Sequence, residues 1–350
     1  MMQRVLIATA LALAVSPALA QQTIKITVVA APPPTVTPTK VTKEFFVPEV
    51  TKRLQGSPYK IEWTEAYSQT LAKITETFET VEEGIAQIGV QLKNFEESKL
   101  PLEQYASMIP FGAADPQVAY QIDLNLRAKV PAMQATFLKY DQIALAHAAS
   151  LSMQMMTKFP LTKVEELKGR KIGGSGALAQ VLRGTGAVIV TANMVGSYTD
   201  IANGLYDGYP IGIMQGFPYK TYQSAPFYTE LDFGSTLVGA LTVNKKWWDA
   251  LPADVRKAIQ ETATEWSTVY YDSELARSQQ AFEQMQKEGM KVIAFPDSER
   301  KRWATMMPNI AKEWAQDLDK KGEPGTKVLT AYMDELRAAK VPLVREWDKE

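Results

Sequence analysis

Gln22-Thr23-Ile24-Lys25-Ile26-Thr27-Val28-Val29 alternates polar and apolar residues and runs into the turn Ala31-Pro32-Pro33-Pro34. That pattern is a half-buried strand stopped by prolines. Thr42–Leu54 follows with helical spacing, and its Pro48 requires a first turn or a kink at that point. Tyr59–Glu65 alternates again, with Ile61 and Trp63 on one face. Gln69–Thr80 reads as a helix, and Gly84 then introduces the short buried strand Ile85–Val90. The order is βαβαβ, which implies a parallel sheet with helices on its faces.

Working outward, a second unit begins near Ile143, where Ala144–Met155 is apolar enough for a buried strand. Val164–Leu167 leads through Gly169 into the strand Arg170–Gly173. The helix Ala177–Leu182, the strand Ala187–Val190 and the helix Tyr198–Leu205, ended by Gly208, come next. Asp232–Val243 reads as one long strand returning towards the first unit. The remainder is helical over Ala253–Gln286, Ser298–Lys321 and Thr326–Ala339, interrupted by the strand Lys291–Ala294. The expected fold is α/β with two lobes, each a mixed sheet flanked by helices, joined by crossing strands and wrapped by C-terminal helices. Residues 21–142 form lobe 1 with contributions from about 240–350, and residues 143–239 form lobe 2 with contributions from the C-terminal helices. Ligands of such sheets bind outside the carboxyl ends of the strands, here between the lobes.

The N-terminus carries an export signal. Arg4 precedes the apolar run Val5–Val15, Ser16-Pro17 breaks it, and Ala18-Leu19-Ala20 is an A-x-A cleavage site. Cleavage after Ala20 starts the mature chain at Gln21, and the apolar run is shorter than the ~20 residues a membrane span needs. An exported, periplasmic protein is expected.

Composition removes whole classes of function. The 350 residues are 46% hydrophobic, enough for a full core, and 38 basic against 39 acidic residues leave a net charge of −1. A nucleic-acid binder needs a basic excess to neutralise phosphates. Zero Cys excludes disulfides, thiolate metal sites and cysteine nucleophiles, and a single His speaks against a zinc hydrolase. No metal and no cofactor is expected.

Three constellations remain. Gly174-x-Gly176-x-x-Ala179, after a strand and opening a helix, fits a dinucleotide fingerprint, but Val190-Thr191-Ala192-Asn193 lacks the acidic residue that holds a ribose. Ser175 between Gly173 and Ala177 brushes against a nucleophile elbow. The only His, His147, precedes it, the wrong order for that hydrolase fold, and sits in an apolar run as a satisfied core histidine. The Gly173–Gly176 turn could offer backbone N–H groups and the Ser175 hydroxyl to an anion, or could simply be a tight turn. Tyr206 to Tyr219 is rich in rings, and Tyr209 and Phe217 either line a pocket or pack ordinarily. The adjacent pairs Glu82-Glu83 and Glu96-Glu97 point their side chains apart and read as solvated faces.

The order of these features resembles the DctP-type extracytoplasmic solute receptors of TRAP transporters. Phe45-Phe46-Val47-Pro48-Glu49-Val50 is similar to the family's first helix. Thr80-Val81-Glu82-Glu83-Gly84-Ile85-Ala86-Gln87-Ile88-Gly89, Glu165-Glu166-Leu167-Lys168-Gly169-Arg170-Lys171-Ile172 and Gly186-Ala187 resemble later segments of it. Tyr198 with Leu205-Tyr206-Asp207-Gly208, and Asn244-Lys245-Lys246-Trp247 with Leu251-Pro252-Ala253-Asp254-Val255, complete the series. The resemblance implies no catalysis, capture of a small organic acid by closure of two lobes, and delivery to the small and large membrane subunits of a permease by a monomeric receptor.

One departure stands out. The resemblance implies an arginine, gripping the ligand carboxylate, where this chain has Gly173, and a second basic contact near Met153 or Gln154 is also missing. The turn Gly173, Gly174 and Ser175 is expected to replace the arginine. The vacated room and the nearby rings favour an aromatic carboxylate of the benzoate or terephthalate kind. By family position Tyr67 and Gln91 line the cleft from lobe 1, and Met153, Gln154, Tyr209 and Phe217 from lobe 2. Lys93 and Lys158 are candidate substitute cations, against the alternative that they are merely solvated. The rival functions are a receptor for an aliphatic or hydroxy acid or an uncharged solute, a receptor for an ATP-driven importer, and an exported enzyme on a similar scaffold.

Overall fold

The computed structural model describes residues 21–350; the signal segment and its cleavage site lie outside them. In lobe 1, β1 (Gln22–Ala30) pairs in parallel along its whole length with β2 (Tyr59–Tyr67), and its later residues pair with β3 (Ile88–Leu92). Between β1 and β2 lies one helical stretch, α1 (Thr37–Val41), a π-turn over Thr42–Phe46, and α2 (Val47–Arg53). The widened turn, in which the Val47 N–H reaches the Thr42 carbonyl, sits directly before Pro48, the residue that cannot donate to a regular ladder.

Helix α3 (Thr77–Glu82) is shorter than its sequence suggests, because Ser68 and Gln69 adopt positive φ and the chain turns there. The strand after Gly84 (φ 74°) starts at Ile88, not Ile85. After β3 come α4 (Tyr105–Met108), α5 (Pro116–Lys129) and α6 (Pro131–Leu138). The Asp115 carboxylate accepts from the Gln117 and Val118 N–H groups at 2.7 and 3.3 Å, capping α5 ahead of Pro116.

The apolar run Ala144–Met155 is not one strand but two in different sheets. β4 (Gln142–Ala148) joins lobe 1, residues 149–154 cross over, and β5 (Met155–Thr157) opens lobe 2. Lobe 2 adds β6 (Lys171–Gly174), α7 (Ala177–Gln180), β7 (Val188–Thr191), α8 (Ser197–Ala202), β8 (Gly208–Pro210), α9 (Ile213–Gly216), α10 (Thr221–Ser224) and β9 (Phe227–Glu230). Gly204, at φ 76°, ends α8, while Gly208 is already in a strand. Asp232–Val243 is likewise not continuous: residues 231–238 cross back irregularly and only β10 (Gly239–Asn244) is strand.

The first sheet has the order β2-β1-β3-β10-β4, with β10 antiparallel to both neighbours. The chain then runs through α11 (Lys245–Ala250), α12 (Ala253–Lys287) and β11 (Lys291–Ala294), which completes the second sheet as β11-β9-β5-β8. α13 (Asp297–Met306), α14 (Ile310–Lys320) and α15 (Gly325–Ala338) finish it, and Pro308 splits the helix expected over Ser298–Lys321.

Core placement ties the lobes together. Trp266 and Tyr270 of α12 pack under the first sheet, whereas Ala281 and Met285 of the same helix pack in lobe 2. A further core runs from Leu126 of α5 through the crossing residues Ala149 and Phe233 to Ile172, Trp303 and Trp347. No helix among the described residues is long and apolar enough to cross a membrane.

Candidate functional site

β4 ends where the crossing segment 149–154 begins, and that segment delivers the chain to the start of β5. The carboxyl ends of β1, β2, β3 and β4 therefore face lobe 2. β5 is antiparallel to β8 and β9, so its start shares an edge with their ends, and β6 and β7 end on that side too. Two strand-end edges thus oppose one another, as a ligand cleft requires.

On the lobe 2 edge, Gly173 and Gly174 are buried in β6 and Ser175 is exposed just beyond. A Cβ on Gly173 would lie 2.7 Å from the Tyr209 ring and 2.8 and 2.9 Å from the Tyr206 ring. The room left by the absent arginine is therefore filled by two tyrosines, which corrects the expectation that it stands open for a ligand. The Tyr209 phenol donates to the Ala192 carbonyl at 3.1 Å. Burial raises its pKa, against a smaller lowering by the Ser175 hydroxyl.

The turn itself offers an anion little. α7 is a single turn, and the N–H groups of Leu178, Ala179 and Gln180 donate back to the Ser175 and Gly176 carbonyls at 3.1–3.4 Å. A Glu97 carboxylate oxygen of lobe 1 lies 3.0 Å from where a Gly176 Cβ would be, so a protein carboxylate already stands over the turn. A Cβ on Gly174 would sit 3.3 Å from the Leu178–Ala179 backbone, so the helix packs directly on that glycine.

Gln154 is committed to the crossing segments. Its amide donates to Asp232 Oδ1 at 2.7 Å, and its carbonyl accepts from the Asp232 N–H at 2.8 Å. This clasp holds Asp232 at a φ of 52°, and Arg300 of α13 adds a bond to Asp232 Oδ2 at 3.1 Å. Met153 packs half-buried on the core that contains Trp303. Phe217 follows α9, is 36% exposed, and stacks on Tyr222 with ring centres 6.3 Å apart.

On the lobe 1 edge, Tyr67 closes β2 beside Ala30 of β1 and its hydroxyl is sealed without a hydrogen-bond partner. Burial, then the charge of Glu65, raises its pKa. Gln91 is 1% exposed; its amide donates to Thr242 Oγ1 at 3.1 Å and Gln142 Oε1 at 3.3 Å, a knot inside the sheet. The structure thus gathers Gln154, Gly173, Gly174, Ser175 and Tyr209 on one edge, with Tyr67 on the other, while Gln91 is spent on sheet packing.

Neither lysine stands at the cleft edge in the arginine's place. Lys93 is 1% exposed and pairs with Glu103 at 2.7 Å, and Arg127 grips Glu103 at 2.6 and 2.8 Å and Asp123 at 2.8 Å. Burial alone would raise the Glu103 pKa, but Arg127 and Lys93 hold it well below the usual carboxylate range. Lys158 donates to the Ile201 carbonyl at 2.6 Å, at the far end of β5. His147 is in the core but not satisfied: Nδ1 has no partner, and burial, then the charge of Arg127, lowers its pKa to about 3. It lines a cavity of about 270 Å³ beside the edge strand β4, with Tyr120 and Tyr270, which no other candidate residue reaches.

Sequence reasoning missed the hinge clasp of Asp232 and Arg300, and it missed Glu274 and Arg277 on α12. For Glu274 a signal exists: it falls on the stripe Trp266, Tyr270, Ser278, Ala281 at helical spacing, where a carboxylate is out of place. Among the described residues no group of three or more His, Asp or Glu side chains could hold a metal ion.

Comparison with known proteins agrees with this architecture. The family model described as bacterial extracellular solute-binding protein, family 7 (DctP) matches residues 32–317. A TRAP periplasmic solute-binding protein from Desulfovibrio salexigens, an open complex with a symmetry mate's C-terminus in its ligand-binding site, superimposes with a TM-score of 0.80. It is 20% identical, covering 91% of this chain and 98% of that one. DctP6 of Bordetella pertussis, a receptor binding pyroglutamic acid, gives 0.72 at 22% identity over 89% of this chain and 100% of that one. A Chromohalobacter salexigens protein with bound D-glucuronate gives 0.73 at 16% identity over 90% and 99%. No curated protein sequence matches.

Proposed function

The chain belongs to the bacterial extracellular solute-binding proteins of family 7, and on that premise we propose that it is the periplasmic receptor of a TRAP-type transporter. It captures a small organic acid between two lobes, without chemistry on it, and hands it to the small and large permease subunits. The observation that carries this reading is the pair of opposed strand-end edges within the matched span 32–317. Ligand closes the lobes by binding the closed form better than the open one.

An aromatic carboxylate is the narrower form of the proposal, supported by Phe217, exposed after α9 and stacked on Tyr222. A second reading, a compact aliphatic or sugar acid, draws on the Tyr206 and Tyr209 rings that occupy the space beside Gly173. Relatives of the same fold bind pyroglutamic acid and D-glucuronate. A thermal-shift panel of benzoate, terephthalate, pyroglutamate and glucuronate on the mature protein separates the two. A ligand at a hundred times its Kd adds ~2.7 kcal/mol of stability, enough to read. Shifts with benzoate or terephthalate alone support the aromatic form, and shifts with the other two alone refute it. No shift with any acid overturns the acid-receptor reading.

A further inference from the structure

A carboxylate ligand needs a cation, and position 173 supplies none. Every described arginine except Arg170, Arg256 and Arg277 has a carboxylate within 4.0 Å. Arg170 lies over the Phe159 ring, and Arg256 is in the first turn of α12, far from the lobe 2 end of that helix. Arg277 is different. It sits between the part of α12 packed on lobe 1 (Trp266, Tyr270) and the part packed in lobe 2 (Ala281, Met285).

Its Nη2 donates at 2.5 Å to the Thr35 carbonyl, in the turn that leaves the carboxyl end of β1. Its Nη1 is sealed from solvent with no partner among the described residues. Two neighbours share that condition: Thr37 Oγ1, in a residue 2% exposed, and Glu274 Oε2, in a residue 5% exposed. Buried polar atoms are nearly always paired, and an orphan is destabilising until a partner arrives. The Thr37 hydroxyl and the Arg277 charge both act on the Glu274 carboxyl, and the Arg277 Nη1 is left without an acceptor at this junction of α1 and α12.

We propose that Arg277, with Thr37, holds the ligand's carboxylate in this receptor, in place of a basic residue at position 173. The inference rests on the acid-receptor reading above. Arg277 supplies charge and an N–H, and Thr37 supplies an O–H. Burial raises the Glu274 pKa, against smaller lowerings by the Thr37 hydroxyl and the Arg277 charge. Arg277 and Thr37 are both donors to an anionic oxygen, and the guanidinium makes its bond charge-assisted and strong. The junction is closed in this conformation, and the half-buried Arg277 is the group whose long side chain swings to admit an acid.

Titration calorimetry of the mature protein tests this with whichever panel acid binds it best and with that acid's primary amide. Arg277→Met should weaken the acid by about tenfold to a hundredfold, the loss of a hydrogen bond to a charged group, and leave the amide unchanged. Arg277→Lys should fall between, keeping charge without the second N–H. Thr37→Val should weaken the acid severalfold, so that a poorly folding Arg277→Met protein still leaves the question decided. Variants that keep the wild-type affinity and the wild-type preference for acid over amide overturn the assignment while leaving the receptor reading intact. A wild-type protein that binds no acid overturns both.

Discussion

Adding a single methyl group at Gly173 is the sharpest check on why this chain lacks an arginine there. Gly173 is in the strand β6 and is not among the residues with positive φ, so alanine is compatible with its backbone. On backbone grounds alone Gly→Ala then stabilises by about 0.4–1 kcal/mol, by restricting the unfolded chain. The packing argument has the opposite sign. The new Cβ would sit 2.7–2.9 Å from carbons of Tyr209 and Tyr206, against the ordinary contact distance of about 3.5–4.0 Å. Both rings are buried, with ring centres 6.1 Å apart, and the Tyr209 phenol is tied to Ala192, so neither can simply step aside. Overpacking of this kind costs about 1–3 kcal/mol. An unfolding entropy of about 2 cal/mol/K per residue gives ~0.7 kcal/mol/K for a chain of this size, so a net loss of about 1.3 kcal/mol lowers Tm by ~2 °C. Urea unfolding of Gly173→Ala measures the loss directly, and Gly173→Ala with Tyr206→Leu should recover part of it. A Gly173→Ala protein as stable as wild type, or more so, would refute the claim that the rings fill the arginine's place.

Three further outcomes follow from the buried charges. Arg127→Leu strands Glu103 and Asp123 in the core and should cost about 3–5 kcal/mol in urea unfolding; a loss below 1 kcal/mol contradicts the network. His147 titrates near 3 when folded and at 6.5 when unfolded, so between those values only the unfolded chain takes the proton. Stability should then drop as pH falls below 6.5, by up to about 1.4 kcal/mol per unit, and His147→Gln should flatten that limb. Glu96 has the reverse sign: burial, then the Glu79 charge, pushes it up to about 7, so the folded form keeps a proton that the unfolded form has lost. Stability should fall as pH rises from 4.5 to 7, and Glu96→Gln should melt higher than wild type at pH 8 but not at pH 4.5; equal melting at pH 8 would sink the assignment.

Much of the scaffold is legible in the residues. The alternation in β1 and β2, the proline beside the π-turn and the long apolar stripe of α12 each obey a local rule, and each forms where that rule places it. The failures are non-local. Ala144–Met155 is evenly apolar, and nothing along the chain marks where one sheet is left and another entered, because both strands are buried. Asp232–Val243 carries strand-forming residues, but its first half is held by Gln154, Arg300 and the backbone of residues 113 and 153, none of them adjacent in sequence. At the site, the absence of an arginine was readable from one position. What fills its place was not, because Tyr206 and Tyr209 reach Gly173 only through the pairing of lobe 2 strands. Glu274 was missed although the sequence marks it, as a charge on a buried stripe.

The central position of β10 has a consequence for how the chain acquires its structure. β3 and β4 have no contact with each other in the sheet; each is joined only to β10, which lies about 90 residues beyond the end of β4. A chain emerging from its N-terminus can pair β1 with β2 and β3, but β4 must wait, its edge unsatisfied, until β5 to β9 of lobe 2 have passed. Lobe 1 is therefore the first begun, and its sheet closes only once β10 is present. A fragment ending at Val238 should show no cooperative unfolding transition, and adding residues through Lys287, which bring β10 and α12 together, is the first extension that can supply one.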